Sequence, residues 1–263
     1  DLSLEQLLAI ELSTGSLKKT GAKESASAVT LIRKEQIKYS SAKNLTSLLE
    51  QYVPGLLVMA HSEGDKIGLR GHIAAENYKL LLLVNGKNVT NIVYEGAITE
   101  IDQWELHDIE QVEVIRGPGS VTYGSGAIAG VINIITKSAQ SKQSKFELNL
   151  SGNNAYQSRG GSLQYTDKIG NIDLYSFLSY RKTEGYENPN YFVLGFQENS
   201  DLRYLGKKES DNYSPQDYLS DTFSRPQIKA HIDLNYGDNL NFWARYTQSG
   251  QSHHFVTKTP ALN

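Results

Sequence analysis

The sequence predicts an α+β domain followed by the antiparallel strands of a transmembrane β-barrel. Three observations carry this reading. Up to about residue 138, short helix and strand signals follow one another in mixed order. Beyond Lys137 the grammar changes to segments of about ten residues, each with one apolar face, the length and alternation of a membrane strand. The connections between those segments are short at one end and longer at the other, as outer-membrane barrels require.

Composition narrows the function classes. The 263 residues carry 26 Lys and Arg against 29 Asp and Glu, a formal net charge of −3. That balance gives no basic excess for nucleic acid. The longest purely apolar run is Leu80–Val84. A membrane-spanning helix needs roughly 18 such residues, so none is expected, whereas barrel strands escape that test. The chain has no cysteine, which removes disulfides and thiolate metal sites but leaves the compartment open. No secretion leader opens the sequence. Either it has been removed, or the sequence begins inside a longer protein.

The elements of the first half follow in order. Ser3 and Gln6 have capping-box spacing, and Leu4, Leu7 and Leu8 share a helical face, so a short helix is expected there. Residues 14–27 are rich in Ser, Lys, Gly and Ala and read as a flexible tether. Val29–Ile32 is strand-like. Leu45, Leu48, Leu49 and Tyr52 stand at i, i+3, i+4 and i+7, an amphipathic helix stopped by Pro54-Gly55. Strands follow at Leu56–Met59, Ile67–Arg70 and Lys79–Val84, and Asn85-Gly86 is a strong two-residue hairpin signal. Val112, Val114 and Val131–Ile135 supply further strand segments.

In the second half Phe146, Leu148 and Leu150 share one strand face, as do Gly161, Leu163 and Tyr165. Ile172, Leu174, Leu178 and Tyr180 continue the alternation, then Ile228 to Tyr236 and Leu240 to Tyr246 at every second residue. Five strands are expected. Tight turns are expected at Asp167–Asn171 and Gly237–Asn239, a medium loop at Asn153–Gly160 and a long one at Glu184–Arg225. A soluble β-sandwich with polar outer faces is the alternative for these strands taken alone.

Three segments carry a family resemblance: NLTSLLEQYVPGLLV (44–58), IGLRGHIAAENYKLLLLVNGKN (67–88) and DIEQVEVIRGPGSVTYGSGAIAGVINIITK (108–137). In order and spacing they resemble the plug domain of TonB-dependent outer-membrane receptors, the third segment over its whole length. The resemblance implies an α+β plug domain followed by a barrel of about 22 strands, of which only the first are present here. The expected organisation is an energy-coupling segment and tether at 1–27, the plug at 28–138 and incomplete barrel strands at 139–263. Gly117, Gly119, Gly124, Gly126 and Gly130 suit a segment packed closely against its neighbours. Their spacing fits neither GxGxxG nor a Walker A loop.

The resemblance implies a receptor in the bacterial outer membrane, its plug reachable from the periplasm. Its ligand is bound on the outer face and moved when a TonB-type inner-membrane protein pulls on a segment before the plug. That rearrangement would be a population shift, with no covalent chemistry. The energy-coupling segment is expected at Ile10, Glu11, Leu12, Ser13 and Thr14, able to add a strand to a partner's sheet edge; an ordinary helix end and linker is the alternative. Arg70 and Arg116, each before a glycine at a strand end, are expected to form plug–barrel ion pairs. Glu110 and Glu113 are candidate partners for them within the plug. Ligand-facing loops are expected to include His61, Glu63, Asp65, Asn91, Tyr94, Glu95, Tyr186 and Tyr191. An iron–siderophore is the first ligand expectation and cobalamin the second.

No catalytic triad, zinc motif or paired-carboxylate site is legible, so the chain is not read as an enzyme and no cofactor is expected. The acids of the long loop could take Ca²⁺, or simply keep the loop soluble. The remaining partners are outer-membrane lipid and not nucleic acid. An open five-stranded edge cannot sit in lipid, so the chain is read as a fragment of a longer receptor. The alternative is a truncated non-transporting ligand-binding module or a signalling receptor.

Overall fold

The computed structural model describes residues 11–12, 20–21, 28–42, 44–59, 66–71, 73, 79–89, 105–117, 123, 126–138, 144–154, 158–183, 226–237 and 240–248. The chain divides into two compact units, one holding the elements before Ser138 and the other the strands after it.

The first unit opens with two-residue strands β1 (Glu11–Leu12) and β2 (Thr20–Gly21), paired antiparallel. Part of the expected tether is therefore in a strand, while the expected helix at Ser3 lies outside the described residues. Next come β3 (Ala28–Arg33), α1 (Lys34–Tyr39), α2 (Leu45–Tyr52), β4 (Leu56–Met59), β5 (Lys66–Leu69), β6 (Leu80–Val84), β7 (Lys87–Asn88), β8 (Ile109–Arg116) and β9 (Gly130–Thr136). The main sheet has the order β3-β8-β9-β6-β7, with β6 and β9 parallel and the other pairs antiparallel. β4 and β5 form a separate hairpin.

Sequence explains these elements locally. Asn44 caps α2: its Oδ1 accepts from Ser47 N at 2.9 Å, and Ser47 Oγ accepts from Asn44 N at 3.2 Å. Leu45, Leu48 and Leu49 are buried on one face of that helix. Gly55, at φ +74°, turns the chain after it. All five residues of β6 are buried, as are six of the seven in β9 and five of the eight in β8. β6 and β9 are covered on both faces, which is why they read as near-continuous apolar runs. Each such Leu, Ile or Val contributes roughly 1.5–3 kcal/mol.

The second unit is an antiparallel meander of β10 (Lys145–Asn153), β11 (Ser158–Ile169), β12 (Ile172–Thr183), β13 (Gln227–Tyr236) and β14 (Leu240–Gln248). All five expected strands are present, but they run longer than expected. Ile169 pairs with Ile172, so the tight turn shrinks to Gly170-Asn171, and Asn153 pairs with Ser158, so the medium loop shrinks to residues 154–157. Backbone pairing carries the polar residues flanking each turn into the ladder, which side-chain alternation alone does not reveal.

This sheet is inside-out for a soluble protein. Leu150 is 80% exposed, Phe146 63% and Leu240 64%, whereas Ser162 and His231 on the opposite face are each 3% exposed. A soluble sandwich hides its apolar face, so the alternative reading fails on this observation. No described helix is long and apolar enough to cross a membrane.

Candidate functional site

One corner of the first unit gathers the two expected arginines. Arg70 follows β5 in the left-handed region at φ +55°, before Gly71 at φ +76°. The predicted strand Ile67–Arg70 therefore ends one residue early. The backbone N–H of Arg70 donates to Gly55 O at 3.0 Å. Its Nη1 lies 3.5 Å from where a Gly117 β-carbon would stand. Gly117 itself has φ +136°, a conformation essentially reserved for glycine. The neighbouring Arg116 donates from Nη1 to Pro54 O at 3.3 Å, and its Nε is buried without a hydrogen-bond partner among the described residues. The Pro54-Gly55 turn is thus met by the Arg116 guanidinium and by the Arg70 backbone, while the Arg70 guanidinium lies over Gly117.

The structure places Glu110 and Glu113 elsewhere. Glu110 pairs with Lys34 Nζ at 2.6 Å. It stands six residues from Arg116 along β8, about 20 Å at strand rise. The bond to Glu110 holds the Lys34 ammonium above its ordinary value, against a smaller opposing effect of burial. Glu113 is three residues from Arg116 and so projects from the opposite face of the strand. It is fully buried and accepts from Gln111 Nε2 at 2.8 Å and Asn133 Nδ2 at 3.4 Å.

Asn133 carries that network onward, since its Oδ1 accepts from Gly86 N at 3.0 Å. Asn85 adds a second tie: Oδ1 accepts from Thr136 N at 2.9 Å, and Nδ2 donates to Thr136 Oγ1 at 2.8 Å. The Asn85-Gly86 turn is thereby wired through β9 to a buried carboxylate on β8. Burial raises the Tyr123 phenol above its usual range, and the charge of Glu113 adds to that. Sequence reasoning singled out the turn and Glu113 but missed Asn133 and Thr136. Asn133, a lone amide within an apolar strand run, was the available signal.

Of the expected coupling segment, Glu11 and Leu12 are in β1, with Glu11 opposite Gly21 and Leu12 opposite Thr20. Ile10, Ser13 and Thr14 lie outside the described residues. So do all the expected ligand-facing residues, His61, Glu63, Asp65, Asn91, Tyr94, Glu95, Tyr186 and Tyr191.

The polar face of the second unit is also organised. The His231 ring meets Tyr175 edge-on at 5.4 Å and Trp243 at 5.7 Å between centroids. Tyr175 donates from its hydroxyl to Gln164 Oε1 at 3.4 Å, and Gln164 Nε2 donates to Glu147. Asn241 Nδ2 donates to Asp233 Oδ1 at 2.7 Å. Alternation in the sequence puts Glu147, Gln164, His231, Asp233 and Asn241 on the polar side, but Tyr175 and Trp243 were not foreseen there, because strand register, not spacing, brings them together. Among the described residues no group of three His, Asp or Glu is placed to hold a metal ion.

Comparison with known proteins agrees with this geometry. The sequence model of the TonB-dependent Receptor Plug Domain matches residues 21–131. The vitamin B12 transporter BtuB of Vibrio vulnificus is 32% identical over 192 residues, covering 65% of this chain and 29% of that protein. The ferric enterobactin receptor of Pseudomonas aeruginosa is 29% identical over 225 residues, covering 78% of this chain and 26% of that protein. The chain therefore spans less than a third of the length of these relatives. Among solved structures, the pyoverdine outer-membrane receptor FpvA of Pseudomonas aeruginosa superposes with a TM-score of 0.64 at 15% identity, over 90% of this chain and 30% of that one. At that identity the likeness speaks for the fold alone.

Proposed function

We propose that this chain, which matches the TonB-dependent receptor plug domain over residues 21–131 and continues into strands of the same fold, is part of an active outer-membrane transporter for a scarce ligand. The observation that carries the proposal is the inside-out sheet β10–β14 directly following the plug. A lipid-facing wall after a plug makes a gated uptake path, not a soluble binder. Energy comes from a TonB-type inner-membrane protein acting on residues 10–14. Support for that segment is the extended backbone of Glu11–Leu12, the conformation a strand-adding peptide needs. Arg70 and Arg116 pair with carboxylates outside the plug. What supports this is that neither guanidinium has a carboxylate partner among the described residues.

The ligand is an iron–siderophore in first place and cobalamin in second. Relatives named for each are matched at similar identity. The long loop, rich in acid, disfavours a strongly anionic chelate such as a ferric catecholate. The deciding experiment is uptake of radiolabelled cobalamin and of a panel of ferric siderophores by cells whose only such receptor is the intact protein carrying this chain. Accumulation of one ligand, abolished by a protonophore, is expected. Accumulation indifferent to the protonophore would sink the energised-transport reading.

A further inference from the structure

We propose that Asn133 and Glu113 link the Asn85-Gly86 turn to the edge strand β3, so that a change at the turn is felt three strands away. The link runs through the interior of the main sheet. Leu83, Asn133, Glu113 and Leu31 stand directly opposite one another on β6, β9, β8 and β3. Residues so aligned share one face of the sheet. The next rung on that face is apolar throughout: Leu81, Val131, Ile115 and Val29, packed together. Asn133 and Glu113 are only 1% and 0% exposed. Apolar residues of like volume would serve cohesion there equally well, so the polar pair supplies something else.

The Asn133 amide is a joint with one working orientation. Its Oδ1 accepts from Gly86 N at 3.0 Å, and its Nδ2 donates to Glu113 Oε2 at 3.4 Å. Turned over, the amide would set donor against donor at Gly86 and oxygen against carboxylate at Glu113. Turn and carboxylate therefore hold the amide jointly, and losing one contact loosens the other. Glu113 also accepts from Gln111 Nε2 at 2.8 Å, and Gln111 stands opposite Arg33, the N-cap of α1. β3 is the responsive end by its position. Among the described residues it pairs with β8 alone, and an edge strand opens more readily than strands inside a sheet. In sequence, β7 leads toward Asn91, Tyr94 and Glu95, while β3 follows residues 10–14. On the transport reading, the link joins the ligand side of the plug to the strand that takes the pull. That meaning rests on the transport reading; the link itself does not.

The test is amide hydrogen exchange in the intact receptor carrying this chain, purified in detergent, with neither ligand nor partner added. Gly86→Ala strains the turn at φ +75° without a clash, since nothing lies within 4 Å of where its β-carbon would stand. It is expected to speed exchange in β3 about fivefold or more, while α2 and β11 stay within about twofold of the parent. Asn133→Leu/Glu113→Leu removes the link without leaving a buried charge unpaired. In that background Gly86→Ala is expected to leave β3 unchanged. Glu113→Gln/Asn133→Asp exchanges the two groups and keeps an acceptor for Gly86 N and a donor between the strands, so the response of β3 is expected to return. Equal acceleration of β3 and α2 would mean general destabilisation and overturn the link. So would an undiminished β3 response in the leucine pair. If the leucine pair does not fold, Glu113→Gln alone takes its place, with one acceptor oxygen for two amide donors, and an undiminished response there overturns the link. Uptake is read separately: failed energised uptake with a responsive β3 overturns the transport reading alone, and an unresponsive β3 overturns the link alone.

Discussion

The side-chain amide of Asn85 closes two hydrogen bonds on Thr136, one to the backbone N–H at 2.9 Å and one to the hydroxyl at 2.8 Å, from a residue held at φ +50°. Asn85 is thus both the first of the turn's two left-handed residues, before Gly86, and the clamp between β6 and β9. Asn85→Ala loses both bonds and pays for a left-handed alanine, and about 2–4 kcal/mol of plug stability is expected to go. Asn85→Gly keeps the backbone free and loses only the bonds, costing about 1–2 kcal/mol. Denaturant midpoints of the two variants check this. An equal loss in both would show that backbone strain contributes nothing.

Gly130 begins β9 with no room for a side chain. A β-carbon there would stand 2.5 Å from Ile115 O and 2.7 Å from Leu69 Cδ1. The carbonyl belongs to a registered sheet and cannot retreat. Gly130→Ala is expected to cost about 3 kcal/mol or more through overpacking. Gly152→Ala is the control, since its β-carbon would meet only Ser158 O at 3.7 Å, an ordinary contact. A thermal melt that ranks the two the other way would refute the packing account.

Glu113→Ala removes the acceptor of two amide donors inside a covered sheet, and a loss of about 2–4 kcal/mol is expected. Glu113→Gln keeps the size and one carbonyl acceptor, so it is expected to lose less. Equilibrium unfolding of both variants is the check. Finding alanine no worse than glutamine would mean that the network adds little.

The Lys34–Glu110 pair gives a pH dependence of definite sign. The folded-state value of Lys34 is raised above 10.5, chiefly by its bond to Glu110. Its contribution is therefore complete below the unfolded value and disappears as pH climbs through the folded one. Stability is expected to fall with rising pH above about 10.5, and less steeply in Glu110→Gln. The pair is half exposed, so the effect is small. Parallel slopes in parent and variant would assign the alkaline loss to other groups, Tyr123 among them.

The residues show why some of this was legible beforehand. α2 carries its cap, its apolar stripe and its Pro-Gly stop within twelve residues, so local chemistry specifies it completely. The Asn85-Gly86 turn is specified in the same way. α1 escaped notice because KEQIKY buries none of its residues. It is held by Gln36 Oε1, which accepts from Arg33 N at 3.0 Å, and by the tie from Lys34 to Glu110, seventy-six residues away. Arg70 and Arg116 could be named one by one. Their meeting at Pro54-Gly55 depends on tertiary packing that no spacing encodes. The row of Tyr175, His231 and Trp243 likewise exists only through the register of three strands.

The orientation of the second sheet yields the most direct contrast with a soluble protein. Leu178 sits mid-strand on the apolar face, opposite Leu163 on one side and Ala230 on the other, and is 52% exposed. In lipid, Leu178→Arg places a cation in the hydrocarbon and is expected to cost about 2–4 kcal/mol. In water the same change would replace an exposed apolar side chain with a solvated one and improve solubility. The measurement is assembly of the intact receptor in outer membranes, read by heat-modifiable gel migration. A loss of the folded band identifies this face as the lipid wall. An undiminished folded band, with protein recovered without detergent, would mean that water covers the face and that the uptake mechanism built on it is wrong.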